Sequence, residues 1–259
     1  MIQPIQGREH ALWYWALPLA WLGLGGVLGQ VSPIDLLLGS LFVLWLACGP
    51  RIAPWLWRSV TLLSSLALAA HLLPGFTPLP LSEPLAWSPD ARPVLLRLSW
   101  DKVLAGLGLL AWWLQQPSRA APHWKAALLV SLLTLLLVPL AALGLGVVGW
   151  QPKWPEQLAL WLVLNLGGAI LAEELLFRGL LQTWLVQRLG PLLGIGLTAL
   201  LFGAAHWPFS PLFAAVAMLA GLGYGLAFHF SGRLWPAMLL HLAVNLCHVL
   251  LLTYPLRGV

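Results

Sequence analysis

The amino-acid sequence predicts an all-α protein, a polytopic transmembrane bundle of about eight or nine helices around an intramembrane polar cavity. Three observations predict it. Hydrophobic residues make up 60% of the 259-residue chain and charged residues only 8%, a balance outside the range of soluble domains. Apolar runs recur along the whole length. Glu173, Glu174 and Arg178 nevertheless stand inside one of those runs. A carboxylate in hydrocarbon costs at least ~2.5 kcal/mol, so ionisable groups there mark a functional site.

Taken in order, apolar spans are expected near 11–29, 34–48, 55–73, 103–114, 126–148, 158–186, 192–206, 212–230 and 235–253. The second and fourth are short for ~30 Å of hydrocarbon and suit tilted, re-entrant or interfacial helices. The first has one basic residue, Arg8, before it and no small-residue cleavage site after it, and reads as a retained helix rather than a signal peptide. All spans belong to one integral membrane domain. Residues 1–150 form its N-terminal helices and 151–259 its motif-bearing core. Within the first of these lies a segment near 74–102 with six prolines from Pro74 to Pro93. Proline removes donors and disfavours helix, which predicts an ordered surface loop or lid.

The formal charge of +5 comes from Lys and Arg scattered singly between apolar runs, without the stripe a nucleic-acid surface needs. They serve as topology signals instead. A cytoplasmic N-terminus places Arg51, Arg58, Arg119, Lys125, Arg188 and Arg233 inside and leaves the connections at 30–33 and 207–210 free of positive charge, as expected for a cell-membrane protein. Lys153, Arg257 and the 74–102 segment are exceptions. The 17 Trp residues include Trp13, Trp15, Trp21, Trp55, Trp57, Trp112, Trp113, Trp150 and Trp154, most of them near span ends, which suits interfacial anchoring. Gly221 and Gly225, spaced as GxxxG, suit close helix packing. Cys48 and Cys247 lack any CxxC or Cys/His spacing and read as packing residues.

The chemistry lies in the last hundred residues. Glu174 and Arg178 are four apart and share a helix face as an ion pair, whereas Glu173 is rotated by about 100° and is expected to be buried and unpaired, without a neighbouring cation. A desolvated carboxylate of that kind suits a general base near neutral pH. Counting ~1.5 Å per residue from the turn near Val186 puts Glu173 and His206 at one depth, about 20 Å in. His241 and Asn245 share a face of the last span with His248, but start at about 9 and 15 Å, shallower than the other two. His10, His71, His123, His229 and His248 individually read as interfacial or structural, with His248 singled out by its shared face.

EELLFRG from Glu173, FGAAH ending at His206 and HLAVN from His241 resemble the three motifs of the CPBP family, intramembrane proteases related to the type II CAAX prenyl endopeptidases. They read as EExxxR at Glu173, Glu174 and Arg178, FxxxH at Phe202 and His206, and HxxxN at His241 and Asn245. The resemblance covers about 158–253. It implies a helical bundle with a wet cavity where Glu173 and His206 activate water for attack on a peptide carbonyl and His241 and Asn245 stabilise the oxyanion. Glu174, Arg178 and Phe202 would support them. Proximity in a site of this kind needs a poised base and fixed donors about 3 Å from the oxyanion.

Glu173, His206 and His241 also make up the ligand set of a catalytic zinc site with one open position, although HExxH is absent. The sequence does not separate a zinc site from a metal-free, glutamate-dependent hydrolase, which the resemblance fits at least as well, so zinc is one candidate cofactor and none is required. The expected partners are membrane lipid and a peptide or membrane-protein substrate, with no nucleic acid. Two further readings stay open. A proton-coupled transporter would use the same residue types but should show an internal repeat with broken helices in both halves, which is not found. A non-enzymatic scaffold or immunity protein would keep the pocket without turnover.

Overall fold

The computed structural model describes residues 8–117 and 123–258. The expected inside charge Arg119 lies outside the described residues, as do the side chains of Arg8 and His10. Among the described residues eight helices form an all-α bundle: α1 Arg8–Val27, α2 Pro33–Ala47, α3 Pro54–Ala69, α4 Trp100–Trp113, α5 Trp124–Gly144, α6 Leu158–Ala205, α7 Pro211–Ser231 and α8 Leu234–Leu251. Four of them, α5 to α8, are long and apolar enough to cross a membrane. Helices α2 to α4 have 14–16 residues, about 21–24 Å of rise, which falls short of a full crossing.

Local chemistry sets the ends of these helices. Ser32 and Ser210 cap α2 and α7, their hydroxyls accepting the amides of Asp35 and Phe213, and Pro33 and Pro211 follow at the first helical position. That pairing satisfies an orphan donor and uses a residue that has no amide to satisfy. The two expected spans at 158–186 and 192–206 are limbs of the single run α6, which is interrupted at Gly190 (φ 80°, ψ 169°) before Pro191. Glycine reaches that backbone conformation without Cβ strain. The chain doubles back there, because a Cβ on Gly194 would lie 2.6 Å from the amide nitrogen of Val186.

The chain divides into two compact units, one of residues 1–79, 97–118 and 167–176, the other of 80–96, 119–166 and 177–259. In the first unit the core is Trp100, Leu104 and Leu109 of α4 with Leu46 and Leu68. Trp21 packs against Trp100 with ring centroids 4.5 Å apart and planes tilted by 34°, and donates its indole N–H to the Trp100 carbonyl at 3.0 Å. Trp57, expected at a membrane interface, is buried instead. It donates to the Trp45 carbonyl at 3.1 Å, so its polar edge is satisfied inside the protein. Lys102, expected in the Pro-rich segment, lies in the first turn of α4, which begins three residues earlier than the apolar run suggested. Asp101 accepts the Lys102 amide at 2.8 Å in that turn.

In the second unit α7 packs against α5, α8 and the second limb of α6. The small face of α7 makes this possible. A Cβ on Gly223 would meet the Thr134 hydroxyl at 2.1 Å, and one on Gly221 the Phe202 ring at 3.0 Å, so the expected packing role of these glycines has a specific cause. The Pro-rich segment is ordered where it runs through this unit. Leu96 enters a core with Leu158, Trp161 and Val249. Asp90 accepts from Gln151 at 2.7 Å, Thr253 at 3.1 Å and Arg257 at 3.2 Å, while Trp87 stacks on Tyr254 at 5.5 Å. The segment is thereby fastened to the chain beyond the C-terminal end of α8.

Candidate active site

The two adjacent glutamates belong to the first unit, on the short α-helical stretch Leu171–Glu174 of α6. π-Helical turns, Asn165–Ile170 and Leu175–Gln182, flank it on either side. Such turns widen the helix and re-aim side chains, and they concentrate at functional sites. Glu174 is fully buried. Glu173 receives the Lys102 ammonium on Oε1 at 3.0 Å, both side chains being mostly enclosed at 15% and 21% exposure. This corrects the expectation of a carboxylate without a neighbouring cation. The partner comes from another helix, and its residue number gives no hint of the pairing.

His206 terminates the second limb of α6 in the second unit. Its Nδ1 lies 2.8 Å from the Phe202 carbonyl oxygen. A carbonyl only accepts, so Nδ1 carries the hydrogen, and the neutral ring then holds its lone pair on Nε2. This is the form a general base requires. Phe202, one turn earlier, is the centre of an aromatic cluster: its ring lies 4.7 Å from His206, 5.0 Å from Phe177 and 6.0 Å from His241. His241 is 5% exposed and stacks on Tyr224 at 4.5 Å with the planes 18° apart. Asn245 donates its side-chain amide to Asn165 Oδ1 at 3.1 Å.

His206, His241, Asn245 and His248 line one cavity of about 580 Å³, its open mouth included. Its remaining wall is mainly apolar, with Val138, Ala142, Phe213 and Val216 among the lining residues. The depth mismatch expected between the second and third motifs is therefore absent from this unit. His206 caps the end of its limb, and Phe202, a turn below it, faces His241. His248 donates from Nε2 to the Thr253 carbonyl at 3.0 Å, which holds its ring at the cavity wall.

Arg178, also in the second unit, is fully buried and donates from Nη2 to the Gly221 carbonyl at 3.0 Å. One turn later Gln182 donates to the Gly225 carbonyl at 2.8 Å. Residues four apart on α6 thus hold carbonyls four apart on α7, a register lock between the two helices. Three contributors were missed in the sequence: Lys102, Asn165 and Tyr224. Asn165 carried a signal, since an amide in the run LWLVLNLGG needs a partner in hydrocarbon. Lys102 carried one only in reverse, as the counter-charge a deep carboxylate calls for.

Among the described residues no group of three His, Cys, Asp or Glu side chains is placed to hold a metal ion. Glu173 Oε1, one of the expected ligand atoms, already faces an ammonium, and a cation at hydrogen-bond distance opposes a second cation there. The expected zinc set draws Glu173 from the first unit and His206 and His241 from the second.

No curated protein and no solved structure matches the chain. Residues 155–247 match the family model described as Type II CAAX prenyl endopeptidase Rce1-like. That segment contains every residue of the three motifs, and four helices long and apolar enough for a bilayer make this a membrane protein. The motif-bearing part of the chain is therefore similar to the type II CAAX prenyl endopeptidases, the relatives of the CPBP family that its three motifs resemble.

Proposed function

We propose that the protein is an intramembrane endopeptidase that hydrolyses a peptide bond in a membrane-associated or C-terminal peptide. Glu173 and His206 take a proton from water as its oxygen bonds to the carbonyl carbon. His241 and Asn245 donate to the oxyanion that forms when the carbonyl π-bond opens. Collapse of the tetrahedral intermediate breaks the C–N bond, and the proton held by the base passes to the departing amine. The observation that carries this reading is the cavity of the second unit, where His206, with its hydrogen fixed on Nδ1, stands with His241 and Asn245 around space large enough for water and a side chain. Asn245 gives one amide hydrogen to Asn165 and keeps a second for the oxyanion. No step runs through a metal.

The apolar wall favours substrate residues with aliphatic or aromatic side chains. The N-terminus is assigned to the cytoplasmic side of the cell membrane from the distribution of Lys and Arg. Comparing the peptide termini in membranes that carry the wild-type protein or Glu173→Gln tests the function. Termini present only with the wild type support the reading, and identical termini in both contradict it.

A further inference from the structure

We propose that Lys102 is the positioning residue for Glu173, fixing the carboxylate from which water is activated; the proposal rests on the reading of Glu173 as the base. The argument begins with the helix approach. A Cβ on Gly106 would stand 3.3 Å from the Ala172 amide nitrogen and 3.3 Å from Leu171. Glycine at this point lets α4 come against the backbone that immediately precedes Glu173. Lys102 sits four residues before Gly106, on the same face of α4. Its chain therefore points along the contact and meets Glu173 at 3.0 Å.

The backbone leading into Lys102 is anchored at two successive residues. The carbonyl of Trp100 accepts the Trp21 indole N–H at 3.0 Å. The carboxylate of Asp101, only 2% exposed, accepts from His71 Nδ1 at 2.8 Å. His71 itself adopts the left-handed conformation at φ 58° just beyond the end of α3. A non-glycine residue rarely takes it unless the surroundings hold it there, and here the turn aims the imidazole at Asp101. A lysine chain on a freely moving helix end would orient nothing. On this fixed turn its ammonium holds Oε1 of Glu173 in one place, as a site built for reaction requires.

The test measures Glu173-dependent peptide termini in membranes carrying Lys102→Met, Lys102→Arg or Glu173→Gln at equal protein level, read by mass spectrometry over time. Lys102→Met should slow their appearance at least ~10-fold, since misplacing a catalytic group by about 1 Å costs up to ~100-fold. Lys102→Arg, which keeps the charge at the end of a long chain, should return the rate to within about threefold of wild type. Wild-type rates in Lys102→Met, or Arg no better than Met, would overturn the proposal. Cleavage that persists in Glu173→Gln sinks the base assignment itself, whereas loss there with full activity in Lys102→Met sinks only the role of Lys102. Should Lys102→Met fail to accumulate, thermal midpoints of Lys102→Gln in the wild-type and Glu173→Gln backgrounds decide. A shift that shrinks in the second background supports the pairing, and equal shifts refute it.

Discussion

The guanidinium of Arg178 lies 4.5 Å from the centroid of the Phe202 ring, so the last residue of the first motif stacks on the first residue of the second. The same group sits 5.2 Å from Tyr224, the ring on which His241 stacks. Arg178 thus supports the aromatic cluster that carries two imidazoles of the cavity.

Replacing Arg178 by Lys should weaken the fold. A lysine keeps the charge but loses the planar fork and the ring stacking. A desolvated cation–π contact is worth about 2 kcal/mol, and a hydrogen bond from a charged donor contributes about 1.5–3 kcal/mol. A loss of about 2–4 kcal/mol is expected on those terms. Denaturant or thermal unfolding in detergent measures it, and an unchanged midpoint would show the stacking to be incidental.

Asn165 should govern Asn245 through its acceptor oxygen. Asn165→Leu removes the partner of the Asn245 amide and should slow turnover about 10-fold or more. Asn165→Asp keeps an acceptor in the same place and should stay nearer wild type. A rate comparison of the two variants at equal protein level checks this, and equal losses would argue against an orienting bond.

Most of the helical order was legible because the hydrophobic effect acts on composition and period, which need no third dimension. The helices α5, α7 and α8 follow the apolar runs to within a few residues, and the reversal expected near Val186 falls a few residues later, at Gly190 and Pro191. The motif residues His206, His241 and Asn245 were readable as a polar group in apolar surroundings, and they do gather at one cavity. What could not be read were contacts between residues far apart in sequence. Lys102 and Glu173 are 71 residues apart and Asn165 and Asn245 are 80 apart, and helical periodicity says nothing about such pairs. The prolines that precede Lys102 predict a loop there, whereas it lies in the first turn of α4. The helix starts at Trp100, with Asp101 in its first turn, sooner than hydropathy alone suggests.

Acid should loosen the fastening of the Pro-rich segment. Partial burial raises the pKa of Asp90, and hydrogen bonds from Gln151, Thr253 and Arg257 lower it by more, so the carboxyl titrates below its ordinary value of 3.8. A carboxylate whose folded pKa is depressed contributes stability that is complete above the unfolded value and is lost as pH falls through the folded one. The wild type should therefore have a higher thermal midpoint than Asp90→Asn at pH 7. Below about pH 4 the difference should narrow. A gap that stays constant from pH 7 to pH 3 would contradict the assignment.

The central claim is that Glu173 and His206 together activate the attacking water. Turnover by purified wild-type, Glu173→Gln and His206→Ala protein, on a peptide chosen from the wild-type-specific termini, tests it most directly. Both variants should keep the helical content and thermal midpoint of a folded protein while cleavage falls by about 100-fold or more, the size expected for removing a general base. Cleavage at the wild-type rate by either folded variant would contradict the account.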